Sequence, residues 1–158
     1  MDILDRKILE LLQKNGRISN AELARELSVA PSTMLERIRR LESSGVIQSY
    51  RAVINPETLG YGVSSFIAVT LERHEDYLIK QFEDDVRSVP NIKSCHHLTG
   101  RFDYLLQVAA YDLKHLGELI KTRIASLSRV GKVETFLVLS EVKQDEGWPT
   151  ELIETSEQ

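Results

Sequence analysis

Three arginines within four residues are the side chains of this sequence best suited to chemistry with a partner. Arg37, Arg39 and Arg40 lie in the stretch VAPSTMLERIRRLE, residues 29–42. Guanidinium groups neutralise phosphates and donate paired hydrogen bonds to guanine, so such a cluster is typical of nucleic-acid contacts. The same pattern also occurs on solvent-exposed helices, where Glu36 and Arg40 would form an ion pair four residues apart. The charges alone leave both interpretations open.

Catalytic and metal-binding arrangements are not recognisable in the sequence. The chain has four histidines, His74, His96, His97 and His115, and one cysteine, Cys95. Their spacing resembles neither a nucleophile with its base nor a metal cluster, and there is no glycine-rich phosphate loop. His96 and His97 would point to opposite faces of a strand. We therefore expect no enzyme activity, no cofactor and no metal. The alternative is a tetrapyrrole-modifying enzyme with a heme-type ligand near His97.

The arginines belong to the third of three predicted helices. The first helix follows a possible N-cap at Asp2 and ends at Asn15-Gly16, and the second begins with a capping box formed by Ser19 and Glu22. The third starts at Pro31, which suits the first helical position, and ends at residues 44–45. Three residues, 28–30, separate the second and third helices. A connection this short predicts a helix-turn-helix.

One face of the third helix is apolar and the other is polar. Met34, Leu35, Ile38 and Leu41 fall within one arc at about 100° per residue. A recognition helix reads base edges with its N-terminal residues, while its arginines bind phosphates or guanine. The following stretch, VIQSYRAVI, predicts one or two strands of a wing. The predicted DNA contacts are Ser32, Thr33, Glu36, Arg37, Arg39 and Arg40 on the helix and Arg51 on the wing.

The rest of the chain predicts a second domain with the order β-α-β-β-α-β. Strands are predicted at 63–71, 92–98, 102–110 and 133–142, and helices at 75–89 and 113–127. This order is the ferredoxin-like or split βαβ arrangement. The fold class is α+β, with an N-terminal winged helix-turn-helix and a C-terminal ferredoxin-like domain. The predicted domains are residues 1–54, a linker at 55–62, a sensing and oligomerisation domain at 63–143, and an acidic tail at 144–158.

Charge separates the two predicted domains. Residues 1–54 carry nine Lys or Arg and seven Asp or Glu, a net charge of +2, although the whole chain has −4. The remaining residues carry the excess of acid. An acidic chain can therefore present a basic segment to DNA.

Apolar residues occur on both faces of two predicted strands. In the strand 102–110, Phe102, Tyr104, Leu106 and Val108 lie on one face, while Leu105 and Ala109 are apolar on the other; the strand 133–142 shows the same two-sided pattern. A sheet covered by helices on one side needs a second cover for an apolar open face. We expect a homodimer formed through this face, which would supply two recognition helices for two DNA half-sites.

Composition suggests a soluble protein with a cytoplasmic location. The chain has no apolar run near the ~20 residues of a membrane span and no apolar leader before its first amphipathic segment. A single cysteine cannot form an internal disulfide. We expect no membrane partner.

The linked motifs of this chain resemble the leucine-responsive/asparagine-responsive (Lrp/AsnC) regulators. The similarity rests on LDRKILELLQKNGRISNAELA, LERIRRLESSGVIQSY, NPETLG, LTGRFDYLL and FLVLSEVK, in that order over residues 1 to about 143. It implies a bacterial or archaeal transcription regulator that acts on double-stranded DNA at the nucleoid. It also implies dimers that assemble into octamers or larger rings, and an amino acid or related metabolite bound between subunits.

The resemblance also implies where the effector binds. The family's effector loop falls on Gly100, Phe102 and Asp103, with His97 and Thr99 approaching it. Asp103 would hold an amino group, or would serve only to cap the turn. Arg101 stands where the family often has an acidic residue, which would favour a ligand with a second carboxylate or a different salt bridge between subunits. A module that senses ligands but has lost DNA binding is the remaining alternative.

Overall fold

The computed structural model describes residues 1–72, 76–128 and 130–150. The chain divides into two compact units. The N-terminal unit comprises Met1–Ile54 together with the segment that begins at Lys143, and the C-terminal unit comprises Asn55–Val142. His74, the predicted helix start at Glu75 and residues 151–158 of the predicted tail lie outside the described residues.

The described N-terminal unit contains three helices, α1 (Ile3–Lys14), α2 (Asn20–Glu26) and α3 (Pro31–Ser43). The predicted caps are confirmed: the side chains of Asp2 and Ser19 each accept a hydrogen bond from the third helical N–H and complete capping boxes. The second box uses Glu22, as predicted. The buried core of the N-terminal unit consists of Ile8, Leu23, Ala24, Met34, Ile38 and Leu41.

A tight turn joins α2 to α3. Four residues, 27–30, separate the helices, one more than predicted, because α2 ends at Glu26. Ser28 has a left-handed backbone conformation with φ 54°, and the N–H of Val29 donates to the carbonyl of Ala24. The predicted inward arc of α3 is confirmed for its three fully buried members. Leu35 lies at the edge of that arc and is 36% exposed, so its assignment to the core is wrong.

The strands predicted within Val46–Ile54 are not formed. This segment has no strand, and its apolar side chains Tyr50 and Val53 are exposed. The alternation of the sequence suits an extended backbone, but a strand needs a neighbour for its hydrogen bonds, and no strand lies beside this segment in the described chain. Arg51 is exposed on it.

The segment after Lys143 packs against α1. The side-chain amide of Gln13 donates to the carbonyl of Trp148 at 2.9 Å and accepts from its N–H at 2.6 Å. Arg6 donates to the carbonyl of Thr150 at 3.1 Å. Gly147 has φ 96°, and a Cβ at this position would collide with the Gln13 amide. The described part of the tail therefore belongs to the N-terminal unit.

The described C-terminal unit is a four-stranded antiparallel sheet covered by two helices. Its elements are β1 (Val63–Leu71), α4 (Asp76–Arg87), β2 (Ile92–His97), β3 (Tyr104–Ala110), α5 (Leu113–Leu119) and β4 (Val130–Leu137), with the strand order β2-β3-β1-β4. A 3-10 helix, Pro56–Leu59, precedes β1. This arrangement confirms the predicted ferredoxin-like domain.

One face of the sheet is buried by α4 and α5. Phe82 and Val86 of α4 and Leu116 of α5 pack against Ile67 and Leu106, which pair directly across β1 and β3. Helix α5 is shorter than predicted, because a π-helical turn follows at Ile120–Ile124. The apolar spacing identified the buried residues, including Ile124 at 1% exposure, but it does not distinguish an α turn from a π turn.

The bounds of β4 are set by the length of β1, the strand with which it pairs. The sequence predicted residues 133–142, but β4 begins at Val130, opposite Leu71, and its last paired residue is Leu137, opposite Ser65. Beyond this point β1 offers little more backbone to pair with, and Leu139 is 96% exposed. The apolar run in the sequence therefore continues past the end of the sheet.

The second face of the sheet carries apolar side chains. Phe66 and Phe136 lie opposite one another on β1 and β4, and they are 37% and 47% exposed. Leu105 and Ala109 of β3 are half-buried on the same side. The two-sided apolar pattern predicted for β3 is confirmed. None of the helices in the described residues is long and apolar enough to cross a membrane.

Candidate DNA interface and ligand-binding loop

The N-terminal half of α3 presents polar side chains to solvent. Ser32, Thr33 and Glu36 are exposed, and Arg39 is exposed one turn further along. Pro31 occupies the first helical position, and no side chain caps the helix because the N-cap residue is Ala30. The predicted groove-facing residues therefore share one accessible surface.

Arg37 and Arg40 are instead held by α1. Arg37 donates from Nη1 to Asp2 at 2.6 Å and to Asp5 at 2.8 Å. Arg40 donates from Nη2 to both carboxylate oxygens of Asp5, at 2.9 and 2.8 Å. The ion pair considered for the sequence, between Glu36 and Arg40, is thus replaced by pairs that join two helices.

Asp5 is the buried centre of this network. Its side chain is 3% exposed, whereas the side chains of Arg37 and Arg40 are 23% and 59% exposed. Burial raises the pKa of Asp5, but hydrogen bonds from Arg37 and the backbone of Asp2, with the charge of Arg40, outweigh burial and hold the pKa below its ordinary value. The pKa of Asp2 is also lowered, by the backbone hydrogen bond to Asp5 and by Arg37.

Among the predicted arginine contacts, Arg39 and Arg51 are not engaged by carboxylates. Within the described residues their side chains have no ion pair or hydrogen bond, and both are exposed. They differ in this from Arg37 and Arg40, although sequence spacing treated these arginines alike. The signal that was missed is the pair Asp2 and Asp5, whose proximity to α3 depends on helix packing.

The predicted effector loop is a closed turn between β2 and β3. The N–H of Leu98 donates to the carbonyl of Asp103 at 2.8 Å, and Gly100 has φ 132° at the tip. The carboxylate of Asp103 accepts from the N–H of Leu71 at 2.7 Å. Asp103 therefore has a structural role at the end of β1. The contact joins the loop to β1 and does not cap the 98–103 turn itself, so both interpretations of Asp103 stay predictions.

Arg101 forms its salt bridge within the chain. It donates to Glu134 at 2.7 Å, and its guanidinium carbon lies 4.4 Å from the centre of the Phe102 ring. Lys132 also contacts Glu134, at 2.7 Å. The hydrogen bond from Lys132 is the largest cause that lowers the pKa of Glu134, and Arg101 adds to it. Thr99, Gly100 and Arg101 are exposed along the loop.

His97 lies apart from the tip of the loop, beside a cavity of ≈ 450 Å³ between α4 and β2. Its ring stacks on Tyr104 with 4.7 Å between centroids, and the Tyr104 hydroxyl donates to Glu83 at 3.0 Å. Among the predicted effector residues, His97 is the one that lines this cavity. Sequence spacing missed Glu83, Arg87 and Lys93, which also line it, because α4 and β2 meet only in the folded chain.

In the described part of the chain, Cys95 and the histidines His96, His97 and His115 form no pair of nucleophile and base. Burial, with the nearby charge of Glu83, raises the pKa of the Cys95 thiol to about 11, so the nucleophilic thiolate is scarce at neutral pH. His96 and His97 pair with Leu105 and Tyr104, and they point to opposite faces as predicted. The described residues contain no group of three His, Cys, Asp or Glu side chains placed to hold a metal.

A helix-turn-helix unit with a solvent-facing recognition helix, followed by a ferredoxin-like unit, defines a DNA-binding regulator with a ligand-binding domain. Comparison with known families agrees with both halves. Residues 1–48 match a winged helix-turn-helix DNA-binding family, and residues 64–148 match the Lrp/AsnC ligand binding domain. The chain belongs to the Lrp/AsnC family of transcription regulators. The predicted family and function are confirmed, and the alternative of a tetrapyrrole-modifying enzyme is excluded.

Relatives with assigned names support this membership. The chain is 40% identical over 144 residues to the leucine-responsive regulatory proteins of Klebsiella pneumoniae and Escherichia coli K12, covering 91% of this chain and 88% of each relative. Among solved structures, a Neisseria meningitidis transcriptional regulator in complex with L-methionine is 34% identical with a TM-score of 0.90, over 94% of this chain and 96% of that one. Escherichia coli AsnC is 28% identical with a TM-score of 0.84, over 91% and 95%.

The Asp5 network predicts a loss of stability at acid pH. Because the pKa of Asp5 in the folded protein lies below its ordinary value of 3.8, its ion pairs stabilise the fold fully above that value and are lost as the pH falls through the lower folded pKa. We expect the urea concentration at the unfolding midpoint of the N-terminal unit to decrease when the pH is lowered below about 4. Asp5→Asn should remove part of this dependence of stability on pH. Equal pH profiles for the two proteins would contradict this role of Asp5.

Proposed function

We propose that α3 reads double-stranded DNA in the major groove and gives the regulator its sequence specificity. The observation that carries the proposal is the exposed set Ser32, Thr33, Glu36 and Arg39 at the start of the second helix of the helix-turn-helix. Short polar side chains near a helix N-terminus can approach base edges, and an unpaired arginine further along can bind guanine or phosphate. Arg51 supplies a second phosphate contact from the segment after α3.

Arg39→Ala should weaken DNA binding and reduce its dependence on salt. Each lost phosphate contact lowers the slope of log affinity against log salt by about one unit. Binding is measured by fluorescence anisotropy at several salt concentrations, with a duplex that the wild-type protein enriches from a random-sequence pool. Arg123→Ala, an exposed arginine of the C-terminal unit, makes the same charge change and should leave the slope unchanged. Identical results for both variants would reject α3 as the interface.

We propose that the effector is an amino acid or a related small metabolite, bound at the loop 97–103 between subunits. The support is the ligand-binding family match and the exposed tip formed by Thr99, Gly100 and Arg101. The L-methionine complex of the Neisseria relative shows that class of ligand for a similar protein. The hydroxyl of Thr99 and the exposed backbone of Gly100 offer polar contacts to a zwitterion, and Arg101 offers a cation to its carboxylate.

A thermal-shift screen tests this effector class. L-methionine, L-leucine and other free amino acids should raise the unfolding midpoint if they bind the folded state, by roughly 2.7 kcal/mol of added stability at 100 times the dissociation constant. Thr99→Val should reduce the shift, while Thr135→Val, an exposed threonine on β4, should not. A midpoint and DNA affinity that are indifferent to every amino acid would sink the sensing proposal.

We propose that the open face of the sheet pairs with the same face of a second subunit. The exposed aromatic pair Phe66 and Phe136, with Leu105 and Ala109 beside it, would be covered in such a dimer. A two-fold symmetric dimer brings two copies of α3 to successive major grooves. Octamers or larger rings would then form from dimers, and ligand binding would favour one assembly through its differential affinity.

Phe136→Glu should convert the assembly into smaller species. Phe136 is 47% exposed in one chain, so the monomer tolerates the charge, whereas a covered sheet face would bury it without a partner. Thr135→Glu places the same charge on the same strand but on its other face, and it serves as the matched control. Sedimentation velocity gives the masses. A wild-type monomer at micromolar concentration, or an unchanged mass for Phe136→Glu, would contradict the dimer.

Location follows from these proposals. We propose that the regulator acts in the cytoplasm at the nucleoid, where its DNA targets lie. Both the activating and the repressing direction are compatible with this mechanism, since assembly on DNA can expose or cover a promoter.

A further inference from the structure

Asp5 connects the first turn of α1 to the recognition helix. The residue is 2% exposed, and its carboxylate oxygens accept hydrogen bonds from Arg37, Arg40 and the backbone N–H of Asp2. Asp2 in turn caps α1 and accepts from the N–H of Asp5. The capping box of α1 therefore holds the Asp5 carboxylate in the position where it contacts α3.

The pairing constrains how α3 can rotate about its own axis. At about 100° per residue, Arg37 and Arg40 are separated by roughly 60° and lie toward one flank, while Arg39 lies roughly 160° from Arg37 toward the other flank. Holding two side chains on one flank sets which residues face outward. In this orientation Ser32, Glu36 and Arg39 share the exposed surface.

A buried carboxylate without partners is costly, and so are two neighbouring guanidinium groups without a counter-charge. Each side of the network thus needs the other. The contact from Arg40 adds a defined geometry, because its Nη2 donates to both oxygens of the Asp5 carboxylate. Hydrogen bonds are directional and the hydrophobic effect is not, so these bonds restrain the orientation of α3 in addition to apolar packing.

We propose that Asp5 is a positioning residue for DNA recognition, which acts through Arg37 and Arg40 to hold α3 in its reading orientation. Arg37 and Arg40 then serve Asp5 rather than phosphates, in contrast to their assignment from sequence. This inference rests on the proposed role of α3 as the DNA-reading helix. It adds a residue of α1, which need not touch DNA, to the determinants of affinity.

The same contacts would have another meaning if Asp2 and Asp5 competed with phosphate for the arginines. Removal of the carboxylate would then free Arg37 and Arg40 for DNA, so affinity and the salt slope would both rise. A positioning role predicts the reverse for affinity and no change of slope, because the phosphate contacts themselves stay. The two roles are therefore separable by one titration series.

Asp5→Asn is the principal variant, and it is measured as full-length protein with the enriched duplex described above. We expect affinity to fall by about ten-fold or more, with a salt slope within about half a unit of wild type. Asp2→Asn is the matched control: it makes the same charge change, and asparagine is an equally good N-cap. Because Arg37 keeps its bond to Asp5, this control should bind DNA within about two-fold of wild type.

Arg37→Gln keeps both hydrogen bonds from Arg40 Nη2 to Asp5 and provides a second route if Asp5→Asn folds poorly. It should weaken binding with an unchanged salt slope, whereas a slope lower by about one unit would show that Arg37 contacts phosphate and would overturn the proposal. Circular dichroism establishes that each variant is folded at the assay temperature. Wild-type affinity in a folded Asp5→Asn protein with a lowered unfolding midpoint would also overturn it, because the contact would then be structural alone.

The outcome is distinct from a failure of the DNA interface itself. If Arg39→Ala behaves like Arg123→Ala, then α3 is not the reading helix and the proposed interface fails. If Arg39→Ala reduces the slope as expected while Asp5→Asn binds normally, the interface stands and the positioning role of Asp5 is rejected.

Discussion

In the N-terminal unit, the central polar interaction is the pairing of one buried carboxylate, Asp5, with two arginines of α3. Asp5 is placed by the capping box of α1, and its carboxylate accepts hydrogen bonds from Arg37 and Arg40 of α3. The basic cluster that first suggests DNA binding is thus partly used inside the protein. Within the described residues, Arg39 and Arg51 are the predicted arginine contacts that have no carboxylate partner.

The second unit depends on a different constraint, the need of a sheet to cover both of its faces. Helices α4 and α5 bury one face through residues such as Phe82 and Leu116. The other face retains Phe66 and Phe136 in partial contact with solvent. The proposed dimer therefore follows from packing, while the proposed DNA contacts follow from charge. The two proposals concern different parts of the chain: the DNA contacts lie in the basic first third, and the dimer face lies in the acidic remainder.

Local signals in the sequence were sufficient for the caps, for β1 and for the order of elements, and they were insufficient where a partner decides the outcome. The bounds of β1 agree with prediction because it is a central strand with neighbours on both sides. Residues 133–142 and 46–54 have strand-like patterns, but the backbone that could pair with them is shorter or absent in the described chain. Likewise, the pairs Asp5–Arg37 and His97–Tyr104 join residues whose distance is set by folding. Spacing could nominate these side chains, but it could not say which of them are already engaged.

The N-terminal unit is formed by two separate stretches of the polypeptide. The chain leaves the N-terminal unit at Ile54 and returns to it at Lys143, where Gln13 and Arg6 receive the backbone of Trp148 and Thr150. In topological terms the ligand-binding unit is an insertion within the DNA-binding unit, tethered at both of its ends. A fragment cut after the helix-turn-helix would consequently lack part of its own fold, the segment from Lys143 that packs on α1.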